Sequence, residues 1–153
     1  MNRILIYGSK NSSLRNKQKE YIKNLLKDNN FILLNNCYKI DYQLQNYLYK
    51  QNYKKVTIFS LIHKLTTKID KDWYIHFINS TNENVYTKKD IKMINLCDFG
   101  IFILEDIVDQ EIIINIFRLI NLNKKVILFK NNDIHIIENI RDFDNIINTY
   151  FKK

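Results

Sequence analysis

Carboxylates cluster in the segment that follows one strongly apolar stretch of the chain. The run Phe99–Leu104 is typical of a buried strand, and the acidic residues that follow it are Glu105, Asp106, Asp109 and Glu111. In parallel α/β sheets, ligands gather just past the carboxyl ends of strands, so a binding site is expected here. Neighbouring carboxylates can divide the roles of nucleophile and acid. The simpler interpretation is that Glu111 lies in the first turn of a helix, where the helix dipole favours a carboxylate.

Two further turns follow predicted strands and can contribute to the same site. Gly8 and Ser9 end the first strand and open onto a helix, so their backbone N–H groups can hold a phosphate or a ribose. Ordinary turn chemistry explains Gly8 equally well. The second turn contains Asn35 and Asn36, and Asp41 follows near the start of the next helix. Asparagine tolerates left-handed backbone geometry, so we expect the two asparagines to keep a glycine-like turn.

The elements that must position these residues alternate along the chain. Continuous apolar runs predict buried strands at 3–7, 31–34, 55–59, 73–78, 99–104 and 125–129, and a short edge strand at 133–137. Periodic apolar positions predict helices at 14–26, 40–48, 88–96, 110–122 and 141–151. Ser12 or Ser13 is expected to cap the first helix, and Thr87 the third. Continuous apolar strands separated by helices predict an α/β fold, a three-layer α/β/α Rossmann-like domain with a mainly parallel sheet.

Length and composition predict one domain spanning residues 1–153 and give little direct evidence of function. The net charge of +8 is spread over isolated lysine pairs, so nucleic-acid binding is not expected. Two glycines, no proline and abundant Lys, Asn and Ile are what an A+T-rich genome would produce. Cys37 and Cys97 match no metal spacing and are expected to be free thiols in a reducing compartment. The three histidines, His63, His76 and His135, are dispersed, and no metal or cofactor is predicted.

Nothing in the sequence suggests export or membrane insertion. The apolar run after Met1 is too short for a signal peptide and ends at Gly8. No apolar stretch reaches the roughly 20 residues that cross a bilayer. We therefore expect a cytoplasmic protein with no membrane association.

Taken in order, several motifs resemble the SLOG superfamily, which includes DprA-like and LOG-like nucleotide-binding domains and is related to nucleoside 2-deoxyribosyltransferases. Gly8-Ser9 matches a Gly-Ser turn in that family. Asp41 is retained from a glycine-rich turn in which Asn35, Asn36 and Lys39 replace glycines. A Lys-Asp-x-x-Met helix, an Asp before the next strand and an Asn on the last long helix are matched by Lys89, Asp90, Met93, Asp98 and Asn115. The family's second glycine turn is replaced by residues 109–112.

The resemblance implies a nucleotide-like small molecule bound at the carboxyl edge of the sheet, by a sensor or sequestering module. The residues expected to bind it are Gly8, Ser9, Asn36, Asp41, Tyr86, Asp90, Glu105 and Asp109. In the deoxyribosyltransferase relatives, a helical Glu attacks the sugar, and Glu111 lies at about that position. An enzyme using Glu111, either deoxyribosyltransferase-like or an N-glycosidase, is therefore the alternative, so enzymatic activity stays open. A degenerate scaffold or protein-interaction domain is the third possibility, and the apolar helix at 112–117 makes a homodimer plausible.

Overall fold

The fold is an α/β domain built on one seven-stranded sheet. A computed structural model describes residues 1–61, 69–79, 84–105 and 109–151. The strands are β1 (Arg3–Gly8), β2 (Phe31–Leu34), β3 (Val56–Leu61), β4 (Tyr74–Ile78), β5 (Phe99–Leu104), β6 (Val126–Lys130) and β7 (Asp133–Ile137). The helices are α1 (Asn16–Leu26), α2 (Lys39–Lys50), α3 (Val85–Leu96), α4 (Gln110–Asn121) and α5 (Ile140–Phe151). The predicted three-layer α/β/α Rossmann-like fold is confirmed.

The strand order places a switch point at the centre of the sheet. The order is β4-β3-β2-β1-β5-β6-β7, and only β7 runs antiparallel to its neighbour. The chain moves outward from β1 to β4, then crosses back to β5 on the other side of β1. β1 and β5 are paired in parallel from Ile4 with Phe99 to Gly8 with Ile103, so they end together. This is the point at which open α/β sheets usually bind ligands.

Alternate residues of each central strand bury against different helices. Ile4 and Ile6 of β1 pack in a core with residues of α1 and α2. Leu5 and Tyr7, which point to the opposite face, pack in a second core with α3, α4 and α5. Because both faces are covered, the strands carry continuous apolar runs and not alternating ones. The alternation also sends the Tyr7 side chain toward α3 and α4.

The helix starts differ from those predicted. Arg15, not Ser12 or Ser13, is the N-cap residue of α1, and its backbone N–H donates to Gln18 Oε1 at 2.9 Å. The Ser12 hydroxyl instead donates to the Ser9 carbonyl at 2.7 Å, which stabilises the turn after β1. Helix α3 begins at Val85, so Thr87 lies inside its first turn. The prediction for Ser12 was wrong because a nearby backbone carbonyl binds its hydroxyl, and the prediction for Thr87 was wrong because Val85 and Tyr86 are already helical.

The left-handed turns are also placed differently from the prediction. Four asparagines have positive φ: Asn29, Asn52, Asn123 and Asn131, with φ between 54° and 62°. Asn35 and Asn36 are not among them, so the expected glycine-like turn after β2 is wrong. Neither glycine has positive φ. A Cβ on Gly8 would lie 2.6 Å from Ile40 Cγ2, so this glycine allows α2 to approach β1 closely.

Candidate functional site

A cleft opens beyond the carboxyl ends of β1 and β5, at the switch point of the sheet. Its volume is about 370 Å³, within the usual range for small-molecule sites. The residues that line it come from the β1–α1 loop, the start of α2 and the start of α4: Ser9, Lys10, Asn11, Tyr38, Asp109, Gln110 and Glu111. The acidic segment and the Gly-Ser turn therefore meet, as the topology requires.

Ser9 lies at the base of the cleft and has an unpartnered hydroxyl. Its backbone N–H donates to the Ile103 carbonyl at 2.9 Å, which continues the β1–β5 pairing beyond the strand. The residue is only 3% exposed, and its buried Oγ has no hydrogen-bond partner among the described residues. Buried polar groups are nearly always hydrogen-bonded, so this hydroxyl beneath the cleft surface is an exception.

Asp109 has a structural role at the wall of the cleft. It is the N-cap residue of α4, and its Oδ1 accepts from the backbone N–H of Ile112 at 3.3 Å. Its Oδ2 accepts from the backbone N–H of Lys10 at 3.4 Å, across the cleft. The Asp109 side chain therefore joins the first turn of α4 to the β1–α1 loop. These two bonds explain an aspartate at this position without a ligand.

Glu111 is oriented by tyrosine hydroxyls. Tyr38 Oη donates to Glu111 Oε2 at 2.9 Å, and Tyr7 Oη approaches the same oxygen at 3.5 Å. The other carboxylate oxygen, Oε1, accepts no hydrogen bond from the described residues. No salt bridge within the described part of the chain involves Glu111. Its carboxylate is thus held in place with one oxygen free at the edge of the cleft.

A buried polar chain runs behind Glu111 into the core. Tyr7 Oη donates to Asp90 Oδ2 at 3.3 Å, and Asn115 Nδ2 donates to the same oxygen at 3.0 Å. Arg118 Nη1 donates in turn to Asn115 Oδ1 at 2.7 Å. Burial, and to a smaller extent the charge of Glu111, raises the pKa of Asp90, while the Asn115 bond opposes that rise. Burial also raises the pKa of Tyr7, so this phenol stays protonated and serves as a donor.

Asp41 lies outside the cleft, at the start of α2. Its Oδ2 accepts from the backbone N–H groups of Cys37 and Tyr38, at 2.9 and 2.8 Å. Its Oδ1 is buried without a hydrogen-bond partner. Burial raises the pKa of Asp41 to about 6, although the two backbone bonds act in the opposite direction. Asp41 shapes the turn that presents Tyr38 to the cleft.

A smaller inner pocket adjoins the cleft. Its volume is about 10 Å³, room for roughly one water molecule. Its lining consists of Tyr7, Asn35, Cys37, Tyr38, Tyr86, Lys89, Asp90 and Glu111. Tyr38 and Glu111 belong to both spaces, so their side chains separate them. The predicted residues Tyr86 and Asp90 therefore lie behind this boundary.

Three predicted residues have structural environments away from the cleft. Glu105 Oε1 accepts from the Ser13 backbone N–H and from Arg15 Nε, both at 3.2 Å, and so anchors the β1–α1 loop. Asn36 is 4% exposed and bonds to Ser60 and Gln45. Gly8 packs against α2, as described above. Asp106 and His63 lie outside the described residues.

Two tyrosines next to Glu111, Tyr7 and Tyr38, were missed by sequence reasoning. Tyr7 lies inside an apolar strand, where an aromatic residue is usually core, and Tyr38 lies in a turn rich in polar residues. The alternation of β1 could have revealed Tyr7, because it places Tyr7 on the face that α3 and α4 cover.

The fold and the cleft define a Rossmann-like domain with a polar site at its switch point. Comparison with protein-family models, curated proteins and solved structures found no match to this chain. Within the described ranges, no three His, Cys, Asp or Glu side chains are grouped so that they could hold a metal ion. The helices of those ranges are too short or too polar to span a membrane.

Proposed function

We propose that this protein binds a nucleotide-derived small molecule in the switch-point cleft, as a sensor or a sequestering module. The observation that carries the proposal is the cleft itself, formed where β1 and β5 end and bounded by an oriented carboxylate with a free oxygen. The position is the usual one for nucleotide ligands in open α/β sheets. The resemblance to the SLOG superfamily points to the same class of ligand.

The chemistry of the lining favours the nucleoside part of such a ligand over its phosphates. Among the described lining residues, Lys10 is the one cation, and the lining also contains the carboxylates Asp109 and Glu111. Glu111 Oε1 can accept from a ribose hydroxyl or from a base amino group. A ligand with many donors and little negative charge fits this lining best.

Thermal shift against a graded ligand panel tests the proposal. The panel contains nucleosides, their mono-, di- and triphosphates, and NAD, at equal ionic strength. A ligand present at 100 times its Kd stabilises the fold by about 2.7 kcal/mol, which raises Tm by roughly 5 to 10 °C at this size. We expect the largest shift from nucleosides or monophosphates. No shift with any member would overturn the proposal.

Substitution of Glu111 ties a shift to this site. Glu111→Gln keeps the shape of the side chain and removes its charge, so it should weaken binding about 10- to 100-fold. The matched control is Glu138→Gln, because Glu138 is exposed and follows the antiparallel β7, at the opposite edge of the sheet. Equal affinities of the two variants, measured by calorimetry, would place the ligand elsewhere.

A hydrolase or transferase acting at the sugar is the second candidate. The observation that favours it is the hydrogen bond from Tyr38 to Glu111 Oε2, with the Tyr7 hydroxyl 3.5 Å from the same oxygen, which leaves Oε1 free to attack an anomeric carbon. Asp90, whose pKa is raised by burial, is the nearby carboxyl suited to hold a proton. Release of free base from nucleosides or NAD, followed by chromatography, tests the activity. Activity that survives in Glu111→Gln would exclude Glu111 as the nucleophile.

A scaffold that has lost its ligand is the third candidate. We propose that such a scaffold would associate with a second copy of itself, as a homodimer formed through the outer face of α4. Ile114, Arg118 and Leu122 are spaced four residues apart along this face. Ile114 is 47% exposed and Leu122 is 46% exposed. Other apolar residues of 112–117 are turned inward, since Ile112 and Ile116 are buried in the core. The surface available for self-association is therefore the narrow outer stripe.

A further inference from the structure

Lys89 is a buried cation with an unusual partner. The side chain is 1% exposed, a rare environment for lysine unless it is paired with a carboxylate. No salt bridge to Lys89 is found in the described part of the chain. Instead its Nζ lies 2.8 Å from Cys37 Sγ, and 5.5 Å from the centre of the Tyr86 ring. The pair joins the turn after β2 to helix α3.

The separation is short for a hydrogen bond to sulfur. N–H···O bonds usually measure about 2.9 to 3.0 Å, and sulfur is a larger atom than oxygen, so a bond to sulfur is expected to be longer. At 2.8 Å the nitrogen and sulfur are close enough for one atom to bridge them without movement of the backbone. Cys37 is partly exposed and lines the inner pocket, so small oxidants can reach it.

Cys97 provides an internal comparison. It is also a free cysteine, but it is buried, and its Sγ donates to the Ile94 carbonyl at 3.3 Å. Burial raises the pKa of Cys97 to about 11, which keeps it a thiol with low reactivity. The two cysteines therefore differ in access and in partner.

We propose that Cys37 and Lys89 form an oxidative modification site, in which peroxide joins their side chains through a single oxygen atom. The Lys89 ammonium first gives one proton to solvent, and the thiol and the resulting amine react with two molecules of hydrogen peroxide to give S–O–N and three molecules of water. One S–H and one N–H bond break, one S–O and one N–O bond form, and both peroxide O–O bonds are cleaved. The sulfur and nitrogen together lose four electrons, which the two peroxides accept.

The cross-link would act on the neighbouring cleft, a consequence that rests on the proposed function. Tyr38, which follows Cys37 directly, donates to Glu111, and Asp90, which follows Lys89, belongs to the buried polar chain. A covalent bond between the two segments would restrict the movement of Tyr38. The modification itself is detectable without any ligand, so its failure and the failure of ligand binding are separate results.

Mass spectrometry of the full-length protein tests the proposal. After treatment with hydrogen peroxide and removal of the excess, the intact chain should gain about 14 Da, one oxygen gained and two hydrogens lost. When free thiols are then blocked, the cross-linked chain should take up one blocking group, on Cys97, whereas the unreacted chain takes up two. Proteolysis should then yield one species in which the peptides containing residues 37 and 89 are joined. Dithiothreitol should release them. Because the joined peptides are identified in the wild-type protein, they locate the cross-link at residues 37 and 89 even if a variant folds poorly.

Matched variants locate the chemistry. Cys37→Ser and Lys89→Arg should each abolish the 14 Da product, while Cys97→Ser and the neighbouring exposed Lys88→Arg should retain it. Circular dichroism confirms that each variant is folded. Oxidation of Cys37 to sulfinic or sulfonic acid with no joined peptides would overturn the proposal. So would a cross-link that persists in Lys89→Arg.

Discussion

At the scale of single residues, the site depends on carboxyl groups whose environments differ sharply. Glu111 reaches the cleft, where tyrosine hydroxyls orient it. Asp90 and Asp41 are buried behind it, and burial raises the pKa of both. Asp109 is occupied as a helix cap. Of these four residues, Glu111 is the one that both lines the cleft and has a carboxylate oxygen without a hydrogen bond from the described residues.

Asp41 should make stability depend on pH below neutrality. Its pKa rises from an ordinary value of 3.8 to about 6 in the folded state, so the folded protein binds more protons than the unfolded chain between these values. Stability should therefore fall as the pH rises from about 4 to about 6 and then level off, by about 3 kcal/mol for this group alone. Urea unfolding at several pH values measures this slope.

The comparison with Asp41→Asn isolates the contribution of this carboxyl from those of Asp90 and the other acids. Asparagine retains an oxygen acceptor for the backbone N–H groups of Cys37 and Tyr38 and has no charge to bury. The difference in unfolding free energy between the two proteins should grow across the same pH interval, with the variant about 1 to 3 kcal/mol more stable at pH 7. Parallel pH profiles would contradict the assignment.

At the scale of elements, the position of α2 against β1 is set by the missing side chain of Gly8. A new Cβ there would meet Ile40 Cγ2, Cγ1 and Cβ at 2.6, 2.7 and 3.1 Å. Because isoleucine is branched at Cβ, it has few alternative rotamers in a helix and cannot move aside easily. The same helix carries Asp41 and presents Tyr38, so the packing of α2 also fixes one wall of the cleft.

Gly8→Ala should therefore destabilise the fold by about 1 to 3 kcal/mol through overpacking. Gly8→Ala should cost less unfolding free energy in the Ile40→Ala background than in the wild type, since the smaller residue at position 40 makes room for the new methyl group. A double-mutant cycle from urea unfolding measures this coupling. Additive free energies would show that Gly8 is needed for another reason.

The elements were predictable from sequence to a greater extent than the site. Continuous apolar runs identify buried strands, and the parallel topology follows because both faces must be covered by helices. The carboxylates of the cleft, Asp109 and Glu111, were predicted because they lie in the acidic segment between β5 and α4. Tyr7 was not, because a tyrosine within an apolar strand gives no sign of the buried Asp90 that accepts its hydrogen bond. The conformation of Asn35 and Asn36 was predicted wrongly, since neither residue has a positive φ.

At the scale of the whole molecule, net charge and local charge differ in sign. The chain has a formal charge of +8, whereas the described lining of the cleft contains two carboxylates and one lysine. An anionic ligand would be attracted to the surface in general without being favoured at this site. Overall charge is therefore a poor guide to the ligand of this domain.

Self-association is a property of the whole molecule, and it can be tested at the narrow outer stripe of α4 formed by Ile114, Arg118 and Leu122. The proposed homodimer should appear in sedimentation velocity as a concentration-dependent dimer, and Ile114→Glu should shift it toward monomer, because the substitution puts a charge at an apolar position of the stripe. The control is Ile134→Glu, since Ile134 is 38% exposed on β7, away from α4. Equal behaviour of the two variants would exclude the stripe as the interface.

Glycine can serve a fold in two ways, by adopting left-handed backbone geometry and by leaving room where a side chain would clash. In this chain, asparagine takes the first role and glycine keeps the second. The left-handed turns at Asn29, Asn52, Asn123 and Asn131 are made by asparagine, which can replace glycine where only backbone freedom is needed. No residue can replace glycine where the absence of a side chain is itself required. Under a compositional pressure against glycine, the glycines that persist mark the closest contacts of the fold. Gly8 against α2 and Gly100 against Leu119 of α4 are such contacts, one on each face of the sheet.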